Sequence, residues 1–156
     1  MCLEIPNKIA RFRRMSLGKT VFKFLREHID GSLTAPYQTY QSYEVGQEYW
    51  TDLPIIPMKG KLDVHPVEVH RGFHAFGDLQ DAIKCRDNSN RFMRASSKID
   101  LNSDFSIGVT QTHKISHGVY RCTIPFGALY YKGVWSTKQK MVNYASSRIF
   151  INEKVA

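Results

Sequence analysis

The sequence predicts an α+β fold: a single compact domain with a mostly antiparallel or mixed β-sheet and one or two short helices. Strand-like segments outnumber helical ones and do not alternate regularly with them, which is typical of this class. The chain has 156 residues, 42% of them apolar. A chain of this length buries enough surface to form a core without disulfide or metal support.

The chain is expected to begin with a basic N-terminal arm, residues 1–19, followed by the domain itself, residues 20–156. Residues 8–15 show neither a helix cap nor a clear hydrophobic period. We therefore expect the arm to be extended or loosely helical.

The first element of the domain is predicted to be a β-hairpin. Residues 21–26 are β-branched and aromatic, the dipeptide at residues 30–31 is Asp-Gly, and residues 32–34 follow as a second strand. A strand pattern that meets a turn dipeptide and then resumes indicates two paired strands.

An aromatic stretch comes next, in which Gln, Ser, Thr and Glu separate the rings of Tyr37, Tyr40, Tyr43, Tyr49 and Trp50. Such rings could form a stacking platform for nucleic-acid bases. The alternative is an amphipathic cover, with each ring on the core and its polar atom in water. The stretch is acidic, which counts against nucleic acid at this place.

The middle of the chain predicts two short strands and a helix. Residues 67–69 and 72–76 have strand composition, and Asp78 is placed to cap a helix whose first turn contains Asp81. The polar residues 86–104 are expected to form an irregular or mobile insertion.

The last third of the chain is predicted to be rich in strands. Residues 119–124 alternate in polarity, residues 125–127 read Pro-Phe-Gly as a turn, and residues 128–131 and 148–152 form further strands. Cys122 lies on the apolar face of its strand and is expected to be a small core residue.

The net charge of +8 is unevenly distributed. Residues 1–30 carry seven basic and three acidic residues, and residues 101–156 carry seven and two, whereas residues 31–57 carry three acidic residues and no basic one. Two basic ends flanking an acidic stretch favour a polyanionic partner such as nucleic acid or an acidic protein surface.

The histidines are not expected to bind a metal ion. On a strand, positions four residues apart lie about 13 Å from each other, whereas zinc ligand bonds are near 2 Å. We therefore expect surface or core histidines and no metal site. The residues considered are His65, His70, His74, His113 and His117.

The cysteines indicate a reducing compartment. Cys2, Cys85 and Cys122 are odd in number and far apart, which fits an intracellular protein better than a disulfide framework. No apolar run is long enough for a signal sequence or a membrane span, so a cytoplasmic location is expected. An N-terminal Cys2 could act as a nucleophile, but amidotransferases of this type normally have a glycine where Leu3 stands.

No phosphate loop, dinucleotide glycine fingerprint, nucleophile elbow or zincin motif is present in the sequence. Short segments spread over nearly the whole chain nevertheless point to relatives, namely residues 1–3, 21–25, 35–37, 45–46, 72–76, 81–82, 124–133 and 144–149. Together they resemble small uncharacterised proteins of bacteriophages and bacterial mobile elements. The resemblance implies a viral context, with the host cytoplasm as location, and no particular reaction.

The order of a basic-aromatic strand, a Gly-Phe-His-Ala-Phe strand before a helix, and an Ile-Pro-Phe-Gly turn before the last strands also resembles ADP-ribosyltransferase folds. This resemblance implies NAD as cofactor, with Lys23, Arg26 and Tyr131 as candidate contacts. It implies catalytic roles for Arg26 and His74. The Glu-containing signature of these enzymes is missing, since residues 144–147 read Tyr-Ala-Ser-Ser. That carboxylate would stabilise the ribosyl cation.

The sequence thus favours a non-enzymatic phage-type accessory protein that binds an acidic partner, nucleic acid or a host protein, without a cofactor. An NAD-dependent ADP-ribosyltransferase-like enzyme or its inactive descendant is one alternative, and a structural virion component is another. The expected binding residues are Arg11, Arg13, Arg14, Lys19, Lys138 and Lys140.

Overall fold

The computed structural model describes residues 3–5, 12–36, 41–55, 67–100, 116–134 and 140–156. In these ranges the chain forms twelve strands and one helix. The strands are β1 Leu3–Ile5, β2 Arg13–Arg14, β3 Lys19–Glu27, β4 Leu33–Thr34, β5 Ser42–Tyr43, β6 Glu48–Trp50, β7 Val67–Val69, β8 Phe73–Phe76, β9 Ser116–Ile124, β10 Leu129–Val134, β11 Val142–Ser146 and β12 Arg148–Lys154. The helix, α1, is Leu79–Asp100.

All the strands belong to one sheet with the order β6-β12-β9-β3-β8-β11-β10-β1-β7. β2 joins β10, and the small strands β4 and β5 extend from β3. Every pairing between them is antiparallel. The prediction of a mostly antiparallel sheet is therefore confirmed, with a single helix beside it.

The predicted first hairpin is present. β3 and β4 pair through Arg26 and Thr34, and the turn between them contains Gly31 at φ 85°. The Asp30 carboxylate accepts hydrogen bonds from the Ser32 backbone N–H at 2.9 Å and from the Ser32 hydroxyl at 2.6 Å. An aspartate that binds the backbone two residues later stabilises such a turn.

The two faces of the sheet are buried differently. One face forms a core of strand residues, in which Val21 and Leu25 of β3 pack with Cys122 and Ile124 of β9 and Ile149 of β12. Cys122 is fully buried, which confirms its predicted core role. The opposite face packs against α1, whose buried members in this contact are Ala82 and Cys85.

Helix α1 begins where the sequence predicts. The Asp78 side chain accepts hydrogen bonds from the backbone N–H groups of Gln80 at 2.8 Å and Asp81 at 3.2 Å, as an N-cap does. The expectation of an irregular segment from residue 86 is wrong as far as residue 100, because those residues continue the helix.

The helix continues through polar sequence because its polar side chains bind β9. The Asn90 side-chain oxygen accepts from the His117 backbone N–H at 3.3 Å and lies 2.9 Å from His117 Nδ1. Arg86 donates to the His117 carbonyl at 3.5 Å. The first turns of the helix thus contact the sheet through apolar side chains, and Arg86 and Asn90 add hydrogen bonds to β9 further along.

The N-terminal arm is partly incorporated into the sheet. β1 and β2 lie along the same outer edge of β10, through Glu4 opposite Val134 and Arg13 opposite Tyr130. The arm thus contributes two short strands. Among the described residues, no helix has the length and apolarity needed to cross a bilayer.

Candidate functional site

Cations from both ends of the chain meet on one face of the sheet at β10. Cross-strand partners in an antiparallel ladder project to the same side, so Arg13 of β2 lies beside Tyr130 of β10. Lys132 is two residues further along β10 and shares that side. Its own partner on β11 is Tyr144.

Lys19 reaches the same place from β3. Its ammonium nitrogen lies 5.8 Å from the centre of the Tyr144 ring, and the Tyr130 and Tyr144 rings are 6.0 Å apart. We call the set Arg13, Lys19, Tyr130, Lys132 and Tyr144 the basic face. Its three cations are solvent-exposed, while Tyr130 is half-buried and Tyr144 is buried.

The three cations of the basic face form no ion pair within the described part of the chain. The ion pairs found there lie elsewhere: Arg86–Asp87, Arg121–Glu153, Arg148–Glu48 and Lys154–Glu27. The sequence contains no Asp or Glu from residue 5 to 26 or from 105 to 152. Strands β2, β9, β10 and β11 therefore contain no carboxylate, and the acidic residue nearest the face in the sheet register is Glu4 of β1, opposite Val134 at the far end of β10. The Arg13 and Lys19 end of the face has the stronger positive potential.

The predicted binding residues are only partly brought together. Arg13 and Lys19 belong to the basic face. Arg14 is exposed beside it and donates to the Gly127 carbonyl at 2.9 Å. Lys140 is exposed just before β11, near the end of β10 that lies away from Arg13. Arg11 and Lys138 lie outside the described residues.

Lys132, Tyr130 and Tyr144 were not among the predicted binding residues. Lys132 supplies the C-terminal cation of the face, and the Tyr144 ring lies under Lys19 with the Tyr130 ring beside it. Two signals in the sequence indicate them: the alternation of Tyr130 and Lys132 along one strand, and the acid-free run from residue 105 to 152.

A second feature is a gap in the sheet beside β3. On that edge β3 pairs with β8 only at Phe22 and with β4 only from Arg26 onward. Lys23 lies in the gap, 8% exposed, and its ammonium group donates to the His74 carbonyl at 2.8 Å. The Lys23 side chain thus takes the place of a β3 backbone N–H as hydrogen-bond donor to the His74 carbonyl.

Burial changes the protonation of both residues at the gap. Desolvation lowers the pKa of Lys23 from 10.5 to about 8. Desolvation, with the nearby Lys23 charge as second cause, lowers the pKa of His74 from 6.5 to about 4. His74 is therefore neutral at pH 7. Its Nε2–H donates to the Arg71 carbonyl at 3.2 Å, so the buried Nδ1, which has no hydrogen-bond partner among the described residues, is an acceptor.

A small cavity lies at the gap, lined by Lys23, Phe24, Pro36, His74 and Phe76. Its volume is about 10 Å³, which is room for one water-sized group. A dinucleotide does not fit this volume.

The residues proposed from the ADP-ribosyltransferase resemblance are thus divided between two places. Arg26 adjoins the cavity, because its guanidinium donates to the Pro36 carbonyl at 3.2 Å. Tyr131 packs elsewhere, with its ring 5.2 Å from that of Phe12 and its hydroxyl donating to the Pro54 carbonyl at 3.1 Å. Catalytic roles for Arg26 and His74, and NAD as cofactor, stay predictions.

The described rings of the aromatic stretch do not form an open platform. Tyr43 is 5% exposed and packs edge-on against Tyr49 at 4.9 Å. Trp50 is exposed, but the Arg148 guanidinium lies 3.8 Å from its ring centre. Tyr43 and Tyr49 therefore match the amphipathic alternative, whereas the Trp50 ring lies outside the core under a guanidinium group. Tyr37 and Tyr40 lie outside the described residues.

The described residues contain no group of three or more potential metal ligands. His70 is exposed, whereas His117 is buried against Asn90 and has a pKa lowered to about 4, first by desolvation and then by Arg26. His65 and His113 lie outside the described ranges, as does Cys2.

Comparison of the chain with protein-family models, with curated proteins and with solved structures found no match in any of the three.

Proposed function

We propose that this protein is a non-enzymatic, phage-type accessory protein that binds an acidic macromolecule, nucleic acid or an acidic host protein, through the basic face. The observation that carries the proposal is the meeting of Arg13, Lys19 and Lys132 on one face, where none of the ion pairs of the described residues involves them. Exposed cations without counter-charges attract polyanions over distances of about a Debye length.

Two features of the face support binding rather than mere solubility. Its cations come from two neighbouring strands, β2 and β3, and from the distant strand β10, so the fold brings Lys132 to the other two. The Tyr144 ring beneath Lys19 and the Tyr130 ring beside it form a rigid apolar floor. A cation held over an aromatic ring is attracted to that ring. The Lys19 side chain is therefore partly ordered before a partner binds, and it loses less conformational entropy on binding.

The test compares two triple variants of equal charge. The first carries Arg13→Gln, Lys19→Gln and Lys132→Gln. The control carries Arg71→Gln, Lys84→Gln and Arg91→Gln, which removes three exposed cations away from the face. Binding to heparin and to a 20-base-pair DNA duplex is measured as a function of salt.

Wild type should bind both polyanions in a salt-dependent manner. The basic-face variant should lose about 2–3 units of the log–log salt slope on duplex DNA, since each phosphate contact contributes about 0.9. The control variant should retain the wild-type slope. Absence of salt-dependent binding by wild type, or equal loss in both variants, would refute the proposal.

A further inference from the structure

Two bulky apolar side chains protrude at one end of the sheet, next to the basic face. Leu17 is 77% exposed and Phe126 is 71% exposed. Single exposed apolar residues are ordinary on protein surfaces. These two share one tip, and cations surround it, so their exposure calls for a physical account.

Backbone hydrogen bonds place the two residues together. The Met15 N–H donates to the Ala128 carbonyl at 2.7 Å, and the Gly127 N–H donates to the Met15 carbonyl at 2.9 Å. Four residues later, Lys19 pairs with Ile124. The segment from residue 15 to 19 therefore runs along the 124–128 turn, with Leu17 midway along it and Phe126 at the turn. We call Leu17 and Phe126 the apolar tip.

The charged residues on the two segments of the apolar tip and on the adjoining strand β2 are all cations. Arg14 binds the Gly127 carbonyl next to Phe126, Lys19 adjoins Ile124, and Arg13 precedes Arg14 on β2. The acid-free runs from residue 5 to 26 and from 105 to 152 include both segments of the tip. A partner that fits the tip therefore carries negative charge and presents a flat surface on which the Phe126 ring can pack.

We propose that the apolar tip and the basic face together bind single-stranded nucleic acid, with the Phe126 ring stacked on a base and the cations following the phosphates. The inference rests on the proposed function and names the partner class. Unpaired bases present free π-faces to an exposed ring, and such stacking is tolerant of base identity. In a duplex those faces are already covered by neighbouring base pairs.

The experiment uses two labelled probes of equal charge, a 20-nucleotide oligothymidylate and a 20-mer of abasic sites. Wild type should bind the oligothymidylate more tightly than the abasic strand. Phe126→Leu keeps apolar bulk but removes the ring, so its oligothymidylate affinity should fall roughly 5- to 150-fold. Its abasic affinity and its salt slope should stay at the wild-type level. Phe126→Tyr should behave as wild type.

The outcomes separate failure of this inference from failure of the proposed function. If neither probe nor heparin binds, the proposed function fails and this inference with it. If both probes bind equally and Phe126→Leu changes nothing, the face binds polyanions generally and the stacking role is wrong.

Two further measurements identify rival partners. Binding to vesicles of mixed phosphatidylserine and phosphatidylcholine that Leu17→Ala weakens, without base-dependent binding of the oligonucleotide, would overturn the inference in favour of a lipid surface. Tighter binding to polyglutamate than to oligothymidylate would overturn it in favour of an acidic protein. Circular dichroism checks that each variant is folded. We expect the variants to fold, because both tip residues are exposed.

Discussion

Replacing Lys23 by methionine should abolish a rise in stability that wild type shows at alkaline pH. Lys23 is 8% exposed, and its ammonium group has a single described hydrogen bond, to the His74 carbonyl. Methionine has similar length and no charge to bury. The variant therefore removes the titrating group while largely preserving the packing of the gap beside β3.

The magnitude follows from the change in pKa between the two states. Burial lowers the pKa of Lys23 from 10.5 to about 8. Between these pH values the folded protein has lost the proton and the unfolded chain still holds it, so the free energy of unfolding rises with pH. The gain should be about 1 kcal/mol at pH 9 and about 3 kcal/mol at pH 10.5.

Below pH 8 other contributions decide the difference in stability between wild type and Lys23→Met. Both states of wild type are charged there, and the folded state bears the cost of the buried ammonium. Lys23→Met removes that cost but leaves the His74 carbonyl without its donor, which costs about 1–3 kcal/mol. The two proteins should thus be similar near pH 7 and diverge as pH rises, with wild type gaining.

The assay is urea unfolding at 25 °C from pH 7 to 10.5, with the linear extrapolation applied to each protein. Burial raises the pKa of Tyr120 and raises the pKa of Cys122 to about 12, so both groups lower stability at alkaline pH in both proteins. The difference between wild type and variant isolates Lys23. Lys84→Met, at an exposed lysine, is the control. A difference that does not change with pH would refute the reasoning.

Three further predictions concern stability and reactivity. Gly72 has φ 94°, and a Cβ there would lie 2.7 Å from Leu53 Cδ1 and 3.1 Å from the Ser146 carbonyl, whereas Gly46 has φ 85° and open space; calorimetry should show Gly72→Ala costing roughly 2 kcal/mol more than Gly46→Ala. His74 has a folded pKa of about 4, so its titration should lower stability by about 2.5 kcal/mol as pH drops from 6.5 to 4, in addition to the contribution of His117; urea titrations should show a fall smaller by that amount in His74→Gln, and an equal fall would contradict the assignment. Cys122 is fully buried with a pKa raised to about 12, so peptide mapping after iodoacetamide treatment at pH 8 should find it unlabelled until the protein unfolds; rapid labelling of the native protein would show that the strand is accessible.

Local patterns in the sequence predicted two kinds of element. One kind is held by hydrogen bonds between residues close in sequence, and the other is a strand in which polar and apolar residues alternate. The Asp30–Gly31 turn and the Asp78 cap are examples, because each depends on a side chain two or three residues from its backbone partner. β11 was missed because it is buried on both faces and contains Asn143 and Ser146. A central strand of this kind shows no polar–apolar alternation.

The basic face illustrates the same division. The sequence alone indicated two basic ends and the absence of catalytic motifs, since charge and composition are properties of the chain. Which cations share a surface was decided by strand pairing, because β2, near the start of the sequence, pairs with β10, which lies in the last third of the chain. Arg13, Lys132 and Lys19 therefore meet only through long-range pairing.

The buried state of Lys23 was likewise decided only by the tertiary structure. In the sequence it occupies an alternating strand position and reads as an ordinary cation. Lys23 is buried because it lies at the gap between β8 and β4, the two strands that pair with this edge of β3. In the gap its ammonium group donates a hydrogen bond to the His74 carbonyl. The sequence determines which groups carry charge, and the packing of distant strands determines which of them water can reach.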